Sequence, residues 1–463
     1  MSRAVNIAAS AMHADTSCHG LPRVAFYGDD FTGTTDAMEA LALAGLPTRM
    51  FLRPPTPPQV ATLAAFGLAG SSRSMSPAEM DVHLPAAFAV LRDALPPAHG
   101  LFHYKLCSTF DSAPHIGSIG HAIGIARRLF DAPLIPLIVG APPLGRYCCF
   151  GNLFARSGGD SDVYRLDRHP TMRRHPVTPM DEADLRVHLA RQTDLPVRLI
   201  DFRALDDPAA NNPLLDPPTR PAVVLFDVLH NGHLRRLGEF LTQAARQRTL
   251  PVFGSSGVEY ALTVFARDAG LLPPPPTPPP LHPVPQLLVL SGSCSPVTAR
   301  QLDAAVAAGF SDLPLDPDDL AAGRLDRAAD DAAAHLRTGG SILLHTARGP
   351  DDPRIGRLRD RLAADTGQPG RPGEHLGRLL GRLLRELLTR VPLQRVVVTG
   401  GDTSFFVADE LGLAALDVLT PVAPGSPLCR VPYGPLAGLE LLFKGGQVGR
   451  DHLLLQLLHG TRP

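Results

Sequence analysis

Between Pro273 and Pro285 the chain reads PPPPTPPPLHPVP. Such a run can form neither a helix interior nor a central strand, because proline lacks the backbone donor and has a fixed φ. It predicts an extended, semi-rigid polyproline II spacer. The spacer divides the 463 residues into an expected leader (1–22), a first domain (23–270), the linker itself (271–286) and a second domain (287–463).

Each half opens with the same grammar. Arg23–Tyr27 is a short apolar run that breaks at Gly28-Asp29-Asp30-Phe31-Thr32-Gly33, with a helix expected from about Thr35 to Ala44. Leu287–Leu290 breaks at Ser291 to Ser295 (SGSCS), and Pro296 suits a first helical position. The runs Leu134–Val139, Ala222–Phe226, Ser341–His345 and Arg395–Thr399 alternate with helical stretches such as Glu374–Arg390. Alternation of this kind predicts an α/β chain of two domains, each a mainly parallel sheet flanked by helices. The active site is then expected in the cleft between them, at the C-terminal ends of strands.

Charge and cysteine narrow the partners. The 44 basic and 45 acidic residues leave a net charge of -1, which offers no general attraction to nucleic acid. No run of about 18 uncharged apolar residues suggests a membrane span. The N-terminal stretch reads as a disordered leader rather than a signal peptide. Six cysteines without CxxC or finger spacing argue against a disulfide framework or structural zinc, and make the reducing cytoplasm the expected compartment. The 18 histidines are dispersed, so no metal site is expected, and a homodimer is compatible with this composition.

Only Lys105 and Lys444 are lysines; the other 42 of the 44 basic residues are arginine. Lysine retained against that bias suggests a need for a compact, rotatable ammonium. Lys105 lies in YKLCSTFDS with Ser108 and Asp111, and is a natural partner for a substrate carboxylate. The Asp29-Asp30 loop offers carboxylates that can accept from a polyol and remove a hydroxyl proton, as a kinase requires. A helix cap alone needs one aspartate, not two. Arg146, after Gly145, and His175 stand on proline-stiffened loops, where spacing alone favours an ordinary surface arginine and a capped loop histidine over a site role. Three glycine-containing turns in the second half (Ser291–Ser295, Gly400-Gly401-Asp402-Thr403 and Lys444–Gly449) could bring backbone N–H groups to phosphate oxygens. Neither GxxxxGK[ST] nor a strand-borne GxGxxG is present.

In order and spacing, these pieces resemble the four-carbon acid sugar kinases from about Val24 to Leu454, with Ser72-Arg73-Ser74, Ser255-Ser256-Gly257 and Pro424-Gly425 among the matching segments. The resemblance implies a sugar-acid-binding N-terminal domain and a nucleotide-binding C-terminal domain. It implies that Asp29 and Asp30 are catalytic and that Arg73, Lys105, Ser108, Asp111, Gly145, Arg146 and His175 line the acid-sugar site. ATP, with Mg²⁺, would meet Ser291, Ser293, Ser295, Gly400, Gly401, Asp402, Thr403, Lys444 and Gly446. Asp402 stands where that family commonly has Glu, and Glu259-Tyr260 where small apolar residues are usual, which opens the substrate to a branched acid such as 3-oxo-isoapionate beside 3-oxo-tetronate, threonate or erythronate. The competing expectation is a regulatory protein that binds a sugar acid and a nucleotide without turnover.

Overall fold

The structure is a computed structural model that describes residues 20–157, 162–175, 177–215, 218–366 and 372–461. All but the last three residues of the expected leader lie outside them. In the first half, eight parallel strands run in the spatial order Thr48–Phe51, Ala65–Ala69, Arg23–Gly28, Gly100–Lys105, Leu250–Gly254, Leu134–Ile138, Ala222–Phe226 and Val197–Ile200. Helices cover both faces of a parallel sheet, so inner strands are largely apolar rather than alternating. Ala222–Phe226 (AVVLF) is accordingly buried at every position.

The second half has parallel strands Ser311–Pro314, Ile342–His345, Leu288–Ser291, Arg395–Thr399 and Glu440–Lys444. An antiparallel pair, Ser426–Arg430 and Ala415–Ala423, completes its edge. The two expected sheets are present, but they are joined. Ala415 pairs with Phe51 and Leu416 with Met50, so fifteen strands among the described residues form one continuous sheet. Leu52 N donates to Ala414 O at 3.0 Å. Beside it, Arg49 forks onto both oxygens of Asp417 at 2.7 and 2.8 Å.

The proline spacer has neither helix nor strand, as its composition requires, yet it is tethered. Val284 N donates to Leu458 O at 2.9 Å, Thr420 Oγ1 donates to Pro279 O at 2.8 Å, and Leu281 and Val284 are buried. The first half also contains a short antiparallel sheet that no periodicity announced, Arg146–Cys149, Asn152–Arg156 and Val163–Arg165.

Helix Phe31–Leu43 crosses the junction. It starts four residues before the expected Thr35, because Asp30 caps it by accepting from Gly33 N at 2.7 Å. Phe31, 1% exposed, packs edge-on against Phe443 and Phe405 of the second domain, with ring centroids 4.7 and 6.4 Å away. Truncating such a ring normally costs about 3–5 kcal/mol. Phe31→Ala should therefore lower the urea midpoint of the whole chain; an unchanged midpoint would show that the junction is held elsewhere.

Candidate active site

Three adjacent strands end at one level, since Lys105 pairs with Gly28 on one side and Gly254 on the other. Asp29 N donates to Lys105 O and Leu106 N to Gly254 O, both at 2.8 Å, while Arg73 N donates to Asp29 O at 3.0 Å. The loops leaving these strands thus share one floor. Gly28 is obligatory there: a Cβ would lie 1.9 Å from Thr34 Oγ1.

On that floor the predicted charged residues converge. Arg73 Nη2 lies 2.7 Å from Asp30 Oδ2, and its Nη1 lies 3.8 Å from Asp111 Oδ2. Asp30 also accepts from Thr32 Oγ1 at 2.9 Å. Burial works against its charge, but Arg73, Lys105 and the Gly33 N–H outweigh it and hold the carboxyl below the usual range. Asp29 is the opposite case. It is buried, its Oδ1 has no hydrogen-bond partner, and desolvation together with the neighbouring Asp30 pushes it up to about 7. A carboxyl of that kind can take a proton near neutrality; one that caps a helix and is ion-paired is a poor base.

Lys105 is 2% exposed, with Nζ 3.3 Å from Asp36 Oδ2 and donating to Leu106 O at 3.2 Å. Ser256 Oγ donates to the same Asp36 oxygen. Asp111 accepts from Thr109 Oγ1 at 2.7 Å, and Ser108 is half-buried in the turn beside it. Arg146 and His175 are differently employed. Arg146 Nη1 donates to the carbonyls of Leu144, Gly145 and Arg156 at 3.1–3.3 Å, leaving Nε buried without a partner. Gly145 takes a positive φ of 65° in the turn that aims it. His175 accepts from Thr178 N at 3.0 Å and makes no hydrogen bond to the aspartate cluster among the described residues. Pro176 lies outside the described residues.

In the second half the three glycine-containing turns meet. A Cβ on Gly446 would fall 2.5 Å from Ser293 Oγ and 2.9 Å from Ser295 Cβ, and one on Gly292 would fall 2.8 Å from Thr403 Cγ2. Ser295 caps helix Pro296–Ala307, and Gly400, at φ 127°, precedes helix Gly401–Glu410. Thr399 Oγ1 donates to Ser291 Oγ at 2.8 Å. Two helix N-termini thus open beside glycine backbone, a cradle suited to phosphate. The Asp402 side chain lies outside the described residues. Lys444, fully buried, donates to Thr298 Oγ1 at 3.2 Å, and Thr298 Oγ1 donates to Gly446 O at 2.9 Å.

The cradle faces the aspartate loop. A Cβ built on Gly401 would lie 4.0 Å from Thr32 Oγ1, so the helix N-termini at Phe31 and Gly401 confront each other across the domain boundary. A cavity of about 660 Å³ lies elsewhere, toward the other end of helix Phe31–Leu43, between Glu39, Tyr260, Pro275, Pro278 and Gly425. The fold also gathers Asp206, His230 and His233, which the dispersed histidines gave no reason to expect. Leu229 N donates to His233 Nδ1 and Gly232 N to His230 Nδ1, both at 3.1 Å, so each Nε2 carries the proton and points a donor at Asp206 instead of a lone pair at an ion.

The sequence singled out Ser255-Ser256-Gly257 and the unusual Glu259, but neither the pairing of Ser256 with Asp36 beneath Lys105 nor that of Glu259 with His103, a fully buried contact at 2.5 Å. The available signal was a set of acidic residues on otherwise apolar helix faces.

Burial lowers the Lys444 amine from 10.5 to about 7. Holding it charged destabilises the fold fully below pH 7, and the penalty fades as pH rises toward 10.5, where the unfolded amine also loses its proton. Lys444→Met should therefore raise the melting temperature most below pH 7, with the gain shrinking above it; a pH-independent gain would exclude a buried charge.

Two family descriptions match the chain: a sugar-binding N-terminal domain over residues 24–262 and a nucleotide-binding C-terminal domain over 288–454. The 3-oxo-isoapionate kinase of Paraburkholderia graminis is 46% identical over 442 residues, covering 92% of each chain. The 3-oxo-tetronate kinase of Cupriavidus necator is 31% identical over 455 residues, covering 95% of this chain and 96% of its own. Among solved structures, one described as the putative tRNA synthase from Salmonella typhimurium LT2 shares the fold at a TM-score of 0.74 and 24% identity, over 94% of this chain and 98% of that one. No helix among the described residues is long and apolar enough to cross a membrane. With both domain descriptions matched in order and such relatives spanning nearly its whole length, the chain belongs to the four-carbon acid sugar kinase family, whose members phosphorylate a sugar acid.

Proposed function

We propose that this chain transfers the γ-phosphoryl group of ATP to a hydroxyl of a branched sugar acid of the 3-oxo-isoapionate type, in the cytoplasm. The observation that carries the chemistry is the apposition of the Asp29–Gly33 loop and the glycine cradle, where Gly401 approaches Thr32. The branched acid is favoured over the unbranched one because the P. graminis relative is 46% identical, against 31% for the C. necator one.

In this reading residues 23–270 hold the acid and 287–463 the nucleotide. Lys105 and Arg146 receive the substrate carboxylate, while Asp30, Asp111, Arg73, Ser108, Gly145 and His175 shape the surrounding polyol site. Asp29 accepts the hydroxyl proton as the substrate oxygen attacks phosphorus and the bond to ADP breaks. The transition state is loose, so positioning and charge stabilisation do most of the work. Ser291, Ser293, Ser295, Gly400, Gly401, Asp402, Thr403, Lys444 and Gly446 form the phosphate side. The cradle fits that duty, because a side chain at Gly446 would fill it. Mg²⁺ on the phosphates would neutralise their charge, and such an ion needs few protein ligands.

An ADP-release assay over branched and unbranched 3-oxo aldonates tests the substrate. Highest kcat/KM on the branched acid is expected, and turnover on none would overturn the reading.

Asp29→Asn should cut kcat about 10²–10⁴-fold with sugar-acid KM little changed, whereas Asp30→Asn should act chiefly on KM. In the wild type, kcat should rise with pH through about 7 as Asp29 loses its proton. The reverse pattern between the two variants would exchange their roles.

Gly446→Val should raise the KM for ATP at least about tenfold and leave that for the sugar acid within about twofold. An unchanged ATP KM in steady-state assays would reduce that loop to a simple turn.

A further inference from the structure

His103 and Lys105 stand two residues apart on the central strand Gly100–Lys105, so their side chains share one face of the sheet. Helix Gly257–Asp268 carries Glu259 in its first turn and brings it against His103. Ser256, just before it, donates to Asp36, the ion-pair partner of Lys105. One turn on, Glu259 Oε1 lies 2.5 Å from His103 Nδ1, and both residues are completely buried. Glu259 Oε2 has no hydrogen-bond partner.

The protons of this pair can be counted. His103 Nε2 lies 3.1 Å from Gly254 O, a carbonyl that can only accept, so Nε2 carries a hydrogen. The short contact on the other side needs a second proton between Nδ1 and Oε1. Whether imidazolium faces carboxylate or imidazole faces carboxylic acid, the pair as a whole is neutral. Without an imidazole to share that second proton, ionisation of Glu259 would leave a bare buried carboxylate. A buried carboxylate demands a counter-ion, and the ammonium on the same strand face is Lys105. The field of Glu259 does reach Lys105, where it supports the charged form after Asp36 does, against the desolvation that opposes it.

We infer that His103 is a positioning residue: by sharing a proton with Glu259 it cancels a competing anion and keeps the Lys105 charge for the sugar-acid carboxylate. The inference rests on the reading of Lys105 as the cation that receives that carboxylate. It makes Glu259 a group that must be neutralised, not one that is needed. The two residues therefore have an asymmetric signature that a merely structural pair would lack.

The test uses variants of near-native size in the full-length chain. His103→Gln keeps a donor for Glu259 but cannot carry the positive charge. Its KM for the sugar acid should rise about tenfold, with the KM for ATP within about twofold. Glu259→Gln alone should stay within about threefold of wild type for both substrates, since the amide keeps the bond to Nδ1 without charge. The double variant should return the sugar-acid KM to within about threefold of wild type, because the bare anion is gone. A His103→Gln change confined to melting temperature would overturn the inference, as would a double variant no better in sugar-acid KM than the single. Lys105→Met, assayed in parallel, separates the two claims. If it leaves the sugar-acid KM unchanged, the reading of Lys105 fails. If it raises that KM while His103→Gln does not, only the role of His103 fails.

Discussion

The antiparallel contact between Thr48–Phe51 and Ala415–Ala423 turns two domains into one sheet, and the site's geometry depends on it. Strand pairing fixes both spacing and direction, and the Arg49–Asp417 fork with the Phe31 ring locks what the backbone bonds begin. Phosphoryl transfer needs the acceptor oxygen and the phosphorus held in line, and small displacements are costly in rate. A proline spacer could not supply such accuracy alone. The junction supplies it, and the spacer is laid along the second domain beside it.

Behind the aspartate loop, burial and charge are set against each other. Asp29, Asp30, Asp36 and Asp111 outnumber the cations Arg73 and Lys105 that face them. A low-dielectric cluster with surplus negative charge holds a proton most readily where hydrogen bonds are fewest. Asp30 caps a helix, accepts from Thr32 and pairs with Arg73; Asp29 has an unpartnered oxygen. Adjacent in sequence, the two carboxyls are thereby assigned different protonation behaviour, as acid–base chemistry at neutral pH requires. The proposed nucleotide side is built differently: its lysine is buried beside a threonine, and two helix N-termini add positive potential.

Much of the site was legible because its motifs are local. A strand that stops at Gly28 and a cap at Asp30 are properties of a few neighbouring residues, as are Gly446 and Gly400 in their turns. The scarcity of lysine also pointed to Lys105 and Lys444 before any contact was known. Arg146 was legible as a loop arginine, but its reach to the carbonyl of Arg156 was not, since that residue lies in a small sheet whose strands carry no clear period.

By itself the sequence determined the α/β class, the two-part chain with its proline break, and the residue types at each strand end. These follow from backbone stereochemistry and short-range hydrophobic pattern, which act within a few residues. Only the tertiary structure decided that the sheets fuse, that Asp36 rather than open solvent faces Lys105, and that Glu259 meets His103 across 156 residues of chain. Edge pairing and buried charge compensation depend on which surfaces meet, and no local preference encodes the identity of a partner so distant along the chain.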